Sequence, residues 1–420
     1  MRTFRLLLAS GILLIHTFSW PFTGLCYDLS KEDAALLTQI EKDTFQYFPR
    51  MSDKLTGLTK DTSRPGSPAS IAATGFSLAA IAIGASHQWI PADWAEETLR
   101  KTMKTLLTKA QHERGFFYHF LDTKSGRRVW QSEASSIDTA LLVAGALVAG
   151  QYYPGTDIER MANSLYERVD WKWMMNGTDL ICMGWKPETG FLPYYWDTYN
   201  EQLILQALAV GSPTHSAGKV AWDTWLRLED EYQGYNVVYS HSGSLFTYQF
   251  PHAFIDFKDL DDAGINYFDN SVQATLANKK YSMSARAEHK AYTENSWGLS
   301  ASVGPGGYKA YGSKPGEGAH DGTIAPYAAA SSIIFTPEES VPALRFFYEN
   351  YKANLYGHFG FKDAFNLDKR WWADEYLGID QGITLLMLEN FLNDGVIWKK
   401  FMPLPAIKRW INLCELRKEE

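Results

Sequence analysis

The sequence predicts an all-α fold, an (α/α)6 barrel in which helical hairpins form a toroid, with short β-hairpin loops at the end where a site would lie. Three observations predict it. Helices that are apolar almost all round alternate with helices apolar on one face; the buried starts at Ser70, Ser135 and Asn200 are 65 residues apart; and the loops leading into them repeatedly mix acidic and aromatic residues. An all-round apolar helix belongs to an inner layer and a half-apolar one to an outer layer, so their alternation implies two concentric layers. An α-solenoid also alternates helices, but this period is long for one. No Gly/Ser-rich or Pro-rich linker divides the chain, so one catalytic domain over residues 28–420 is the simplest division.

The chain begins with Arg2 and Arg5, an apolar run from Leu6, then Pro21 and small residues before Cys26. That is the build of a secretory signal over residues 1–26, and it implies a secreted or periplasmic protein without a membrane span in the mature chain. An uncleaved anchor is the competing reading, weakened by His16 and Pro21. Lipid attachment at Cys26 is disfavoured by Leu25, which stands where a small residue is wanted. Cys182 and Cys414 would then remain, so a disulfide framework is absent and one bridge is the most the sequence permits.

Residues 30–48 read as a helix with Ser30 and Asp33 as a capping pair, ended by Pro49. Residues 70–86 are a buried helix, and 93–112 an amphipathic one that faces water. The unit repeats as a strand-like loop, a buried helix over 135–150 and an amphipathic one over 157–173. It repeats again as the loop ICMGWKPETGFLPYYW, the helix after Glu201 and an amphipathic partner over 213–232. Buried segments at 323–334 and 382–391 are each followed by a polar-faced helix, at 337–351 and 396–416. Residues 234–286 are less legible, with room for one more pair.

Composition narrows the function. A formal charge of −8 argues against a nucleic-acid binder and against a grip on polyanionic chains, whereas 15 Trp and 23 Tyr are more polar-tipped rings than a core hides easily. A neutral ligand held on flat faces fits better. The stretch YYWDTYNEQLILQALAVGSPTH places Glu201 where an aromatic loop becomes a helix, with Tyr194, Tyr195, Trp196 and Tyr199 just before it. An acid beside rings is what cleavage of a sugar chain requires; the bland alternative is a helix-start residue stabilised by the dipole, beside core rings.

Hydrolysis of a glycosidic bond needs one carboxylic acid for the leaving oxygen and one carboxylate for water or the sugar. Acids in the loops entering buried helices are Glu133, Asp138, Glu201, Glu294, Asp321, Asp374, Glu375 and Asp380. Each alone reads more simply as a cap or loop residue. Asp138 and Glu201 rank first: Asp138 in a first helical turn, where the dipole favours the charged form, suits a base, and Glu201 among rings suits an acid. Trp196, Trp297, Tyr311, Trp371 and Trp372 are candidate stacking faces, or rings that merely seal the barrel.

Other chemistries are thin. The ten histidines show no two-His helix spacing and no nearby Cys, so no metal is expected; Asp259, Asp261 and Asp262 lack the spacing of a calcium loop. GPGGYKAYG has no Lys-Ser pair after it and reads as a substrate-side loop needing unusual backbone angles.

The blocks YNEQLILQALAVGSPTH, YTENSWGLSASVGPGGYKAYG, DGTIAPYAAASSIIFTPEESVPALRFFY and FGFKDAFNLDKRWWADEYLGIDQG, in this order, resemble the motif blocks of the glycoamylase-like domain family, which includes the β-1,2-glucan-active enzymes of glycoside hydrolase family 144. The resemblance runs from about Asp28 to the C-terminus. It implies an (α/α)6 barrel and inverting hydrolysis of β-1,2-glucan to sophorose or short oligosaccharides, with no cofactor. It matches the family's acids to Asp138 and Glu201, and less directly to Glu133. Read from the residues themselves, the candidate substrate contacts are Tyr195, Trp196, Tyr199, Trp297, Tyr311, Asp321, Trp371, Trp372, Asp374 and Glu375. The expected partner is a β-glucan oligo- or polysaccharide, and the chain is read as a monomer. A polysaccharide lyase on the same barrel would want basic residues for uronates, and a non-catalytic glycan-binding protein would need only the rings.

Overall fold

The computed structural model describes residues 27–313 and 318–417. The predicted signal segment and Cys26 lie outside the described residues. Among the described residues no helix is long and apolar enough to cross a membrane.

Elements follow the alternation read from the sequence. Helix α1 (Lys31–Phe45) opens on Ser30, whose hydroxyl accepts from the Asp33 amide and donates to the Asp33 carboxylate, as the capping pair predicts. Pro49 does not end it; a second short helix, Tyr47–Met51, takes Pro49 into its first turn. Then come α2 (Ile71–Ser86), α3 (Ala92–Thr108), α4 (Ser136–Tyr152), α5 (Asp157–Glu167), α6 (Gln202–Gly211) and α7 (Phe246–Gln249), the last running into a 3₁₀ turn, Phe250–Ala253. Helices α8 (Tyr267–Ser284), α9 (Pro326–Ser331), α10 (Pro337–Leu355), α11 (Gly378–Leu392) and α12 (Pro405–Leu413) complete the set used below.

Inner helices pack in a circuit. Helix α2 touches α4, α4 touches α6, α6 touches the 3₁₀ turn after α7, α9 touches α11, and α11 returns to α2. Between α7 and α9 the Gln249 amide donates to the Ala328 carbonyl at 2.7 Å and to Ser332 Oγ at 2.9 Å. Outside lie α3 on α2, α5 on α4, α8 on α7, α10 on α9 and α1 on α11.

One outer partner differs from expectation. Residues 213–232 do not form the long amphipathic helix that their pattern suggests; a six-residue helix, Lys219–Thr224, gives way to a hairpin of Glu229–Tyr232 with Tyr235–Val238. Gln233 and Gly234, both at positive φ, make its two-residue turn, a geometry that selects a hairpin over a helix. The cover on α6 is instead α12, from the far end of the chain. Residues 396–416 are likewise two short helices, because Pro405 begins a new helix rather than continuing the old one.

Short strands sit just ahead of three inner helices: Ala69–Ser70, Ala134–Ser135 and Thr323–Ile324, pairing with Phe120–Leu121, Gly184–Lys186 and Phe365–Asn366. They gather the loops at the N-terminal ends of the inner helices. Cys182 and Cys414 are buried free thiols, so the one permitted bridge is not formed.

The closest inner crossing is α2 against α4, where a Cβ on Gly145 would lie 1.9 Å from the Gly75 carbonyl oxygen and one on Gly75 2.5 Å from the Leu142 Cα. The backbones meet only because both positions lack a side chain. Gly145→Ala is expected to destabilise the fold by about 1–3 kcal/mol, the usual range for overpacking a dense core, read from urea denaturation.

Candidate active site

A cavity of about 690 Å³ opens at the loop end of the inner circuit, lined by Asp61, Arg64, His119, Asp138, Glu201 and Glu375 among its polar groups. Phe246, Phe250, Tyr308, Tyr327 and Trp371 supply rings to its wall. Residues from loops and helix starts far apart in sequence meet there.

Asp138 is placed by its helix cap. Ser135 Oγ accepts from the Asp138 amide at 3.2 Å and donates to its Oδ2 at 2.5 Å, fixing the carboxylate in the first turn of α4. Its Oδ1 lies 3.6 Å from His119 Nε2, while His119 Nδ1 lies 3.0 Å from Glu133 Oε1. The imidazole thus stands between two carboxylates. Burial pulls its pKa down, but Asp138, Glu133 and Asp61 outweigh that and raise it to about 9. The His119 hydrogen bond in turn holds Glu133 below the ordinary range despite burial. These three residues bring ligand-type atoms within 4.8 Å of one another, yet both ring nitrogens already have carboxylate partners, so hydrogen bonding and ion pairing account for the arrangement.

Glu201 occupies the N-cap position of α6 but makes no side-chain cap bond; Asn200 accepts from the Gln202 amide instead, at 2.9 Å. Its carboxyl is therefore free to face the cavity. Enclosure by protein on all but that side pushes its pKa up to about 7, and the charge of Asp138 adds to the rise. A group of that kind carries a proton near neutrality.

Around these two lie further acids. Burial lifts Asp61 to about 6, with His119 opposing and Asp138 and Glu375 adding. Glu375 is raised by burial against the pull of Arg64, whose guanidinium lies 2.5 Å away. Asp380 and Asp363 are hydrogen-bonded to each other and buried; burial raises both, Asp380 the more because Asp363 is beside it, so the pair holds a proton. Asp363 also accepts from the Val303 amide at 2.6 Å, which ties down the hairpin Ser302–Gly304 with Gly307–Lys309. Gly307 sits at φ +105, Tyr308 is exposed beside the turn, and Gly304, Pro305, Gly307 and Tyr308 of the GPGGYKAYG stretch line the cavity.

Of the residues singled out by sequence, Asp138, Glu201, Trp371 and Glu375 line the cavity, and Glu133 stands behind His119. Asp380 lines it as well, at the start of α11, and the remaining ones do not. Trp196 is buried and donates its indole N–H to Ser136 Oγ at 2.9 Å, bracing the start of α4. Tyr195 accepts from Asn176 Nδ2, and Tyr199 packs among Trp225, Tyr248 and Tyr267 in the core. Trp297 is fully buried; Trp372 stacks on Phe365. Tyr311 donates to Asp321, which also accepts from Thr323 and Lys369 as a loop anchor. Asp374 is exposed, 3.9 Å from Lys362, and Glu294 pairs with Lys279 on α8. The physical reason is common: rings next to an acid in sequence fan out at a helix start, and the best packed turn inward to seal the barrel.

Sequence reasoning missed Asp61, Arg64, His119 and Asp363. The rule that found Asp138, acids in the loop before a buried helix, also reaches Asp61, which precedes α2 in KDTSRPGS. His119 sits in the loop FFYHFLD, between Asp61 and Asp138, and carried no motif.

Residues 193–405 match the Glycoamylase family model, described as "Putative glucoamylase". An exo β-1,2-glucooligosaccharide sophorohydrolase (non-reducing end) of Parabacteroides distasonis is 28% identical over 90% of this chain. The chain spans 57% of the length of that curated relative. Among solved structures, a "putative glucoamylase" from Bacteroides uniformis superposes with a TM-score of 0.86 at 30% identity, covering 92% of this chain and 98% of that one. An endo-β-1,2-glucanase from Chitinophaga pinensis, in complex with sophorotriose and glucose, gives a TM-score of 0.86 at 27% identity, covering 93% and 99%.

Proposed function

We propose, from the premise that this chain belongs to the Glycoamylase family, that it is a glycoside hydrolase cleaving β-1,2-linked glucan by inversion and releasing sophorose or short oligosaccharides. The observation that carries the reading is the pair on one cavity: a proton-bearing Glu201 facing the same space as a clamped Asp138. In this reading Glu201 donates its proton to the glycosidic oxygen as the bond to the anomeric carbon breaks. Asp138 takes a proton from the water that attacks that carbon from the opposite face. Ser135 and His119 hold the base in place, Glu133 orients His119, and Trp371 and Tyr308 offer faces to sugar rings.

The same premise supports closure of the inner and outer helices as an (α/α)6 toroid, a single catalytic domain over residues 28–420, and action as a monomer outside the cytoplasm after loss of residues 1–26. Relatives active on β-1,2-glucan support the linkage. The acidic balance of the chain favours a neutral glucan over a uronate.

The test is hydrolysis of linear β-1,2-glucan followed by NMR in the first minutes. Sophorose or short oligosaccharides released as the α-anomer are expected. Release of the β-anomer would exclude inversion, and no reducing-sugar release from β-1,2-glucan would remove the linkage assignment.

A further inference from the structure

At the end of the helical circuit away from the cavity, three helices bring Glu41, His87 and Glu389 together. His87 is the C-cap of α2 and Glu389 lies in the last turns of α11, so both belong to the C-terminal ends of inner helices; Glu41 comes from the outer helix α1. Their ligand-type atoms all lie within 4.8 Å of one another. His87 Nε2 is 2.8 Å from Glu389 Oε2. Glu41 and Glu389 are 1% and 2% exposed, and among the described residues Glu41 Oε1 has no hydrogen-bond partner.

Two adjacent buried carboxylates need a positive species between them. Burial, a hydrogen bond to Glu389 and its charge raise the Glu41 carboxyl, so a proton shared by the pair is the competitor an ion must displace. The surroundings resemble a ligand set. Asn393 Nδ2 donates to Glu389 Oε2 at 2.8 Å, and the His87 ring stacks on Trp89 with centroids 4.5 Å apart and planes at 14°. The stack holds the His87 ring plane, and Asn393 holds the Glu389 oxygen that faces His87. The His87 side chain keeps 28% of its surface exposed, giving an ion a way in from solvent.

We propose that Glu41, His87 and Glu389 form a structural site for a divalent transition cation. One imidazole with two carboxylates suits zinc, manganese or ferrous iron, whereas calcium and magnesium prefer oxygen alone. The ion would clasp α1 to α11 and α2, at the seam where the first outer helix meets the last inner helix. Sequence reading excluded metals because it looked for neighbouring histidines; His87 and Glu389 are 302 positions apart.

The experiment uses the full chain, stripped with chelator, dialysed, and given Zn²⁺ or Mn²⁺ separately. Elemental analysis is expected to find about one equivalent bound, with Tm raised by about 2 °C or more. Both effects should be lost in Glu41→Gln, which mimics the protonated acid and keeps the fold, and in His87→Asn. Uptake below about a tenth of an equivalent by the wild type, or uptake that survives both substitutions, overturns the proposal. So does uptake that vanishes in Asp138→Asn while persisting in Glu41→Gln, which would put the ion at His119 instead. None of these readouts depends on glucan cleavage, so they stand apart from the functional reading above.

Discussion

Glu201→Gln is expected to lower kcat on β-1,2-glucan by about 10³-fold, within the range that removal of a general acid usually costs, with KM changed only a few-fold. Glutamine fills the same volume and keeps the polar contacts of the carboxyl, but it has no proton to give. The pH profile carries a second readout. Burial raises the Glu201 carboxyl to about 7, so the acid form persists below that value and is lost as pH rises through it. Wild-type kcat/KM should therefore fall above about pH 7, and the residual rate of the variant should lack that limb. A substrate with an activated leaving group needs less protonation and should recover much of the loss. Residual activity within tenfold of wild type on the natural linkage would take Glu201 out of the acid role.

Asp138→Asn should cost kcat about 10²–10⁴-fold, because nothing else at that position would take the proton from water. The fold should survive: the Ser135 hydroxyl accepts from the backbone amide of residue 138, and that bond does not depend on the side chain. His119 supplies an internal gauge of the substitution. Asp138 is the largest of the charges that raise its pKa, so the imidazole should titrate below about 9 in the variant, observable by NMR. A rate near wild type with the His119 shift present would show that the substitution reached the site and that another cavity acid, Asp61 or Glu375, serves as base.

What the chain reveals by itself follows from the range of the interactions involved. Buried helices are legible because their signals are local: Ser70 and Ser135 each accept from an amide three residues on, and the apolar runs behind them fill α2 and α4 almost to the residue. Asp138 and Glu201 could be placed at helix starts for the same reason, and helix starts on inner elements face one end. Ring positions were harder. Trp196 and Tyr199 flank Glu201 in sequence, yet the rings that share its cavity come from Phe246, Phe250, Tyr308, Tyr327 and Trp371. Glu201 is raised by burial, as an acid among rings would be, but the rings that line its cavity belong to other segments. The cover on α6 could not be read either, since the pattern of residues 213–232 promises a helix and only the Gln233-Gly234 turn argues against it.

Residues of α12 lie against α6 so closely that a Cβ on Gly211 would stand 2.1 Å from the Ala406 carbonyl oxygen. The helix that begins at Glu201 therefore waits, on its outward side, for residues made some two hundred positions later. During synthesis on the ribosome the packing around that helix cannot be completed until nearly the whole polypeptide has emerged. Contacts so far apart along the chain are slow to form, so the outer cover of α6 is completed late.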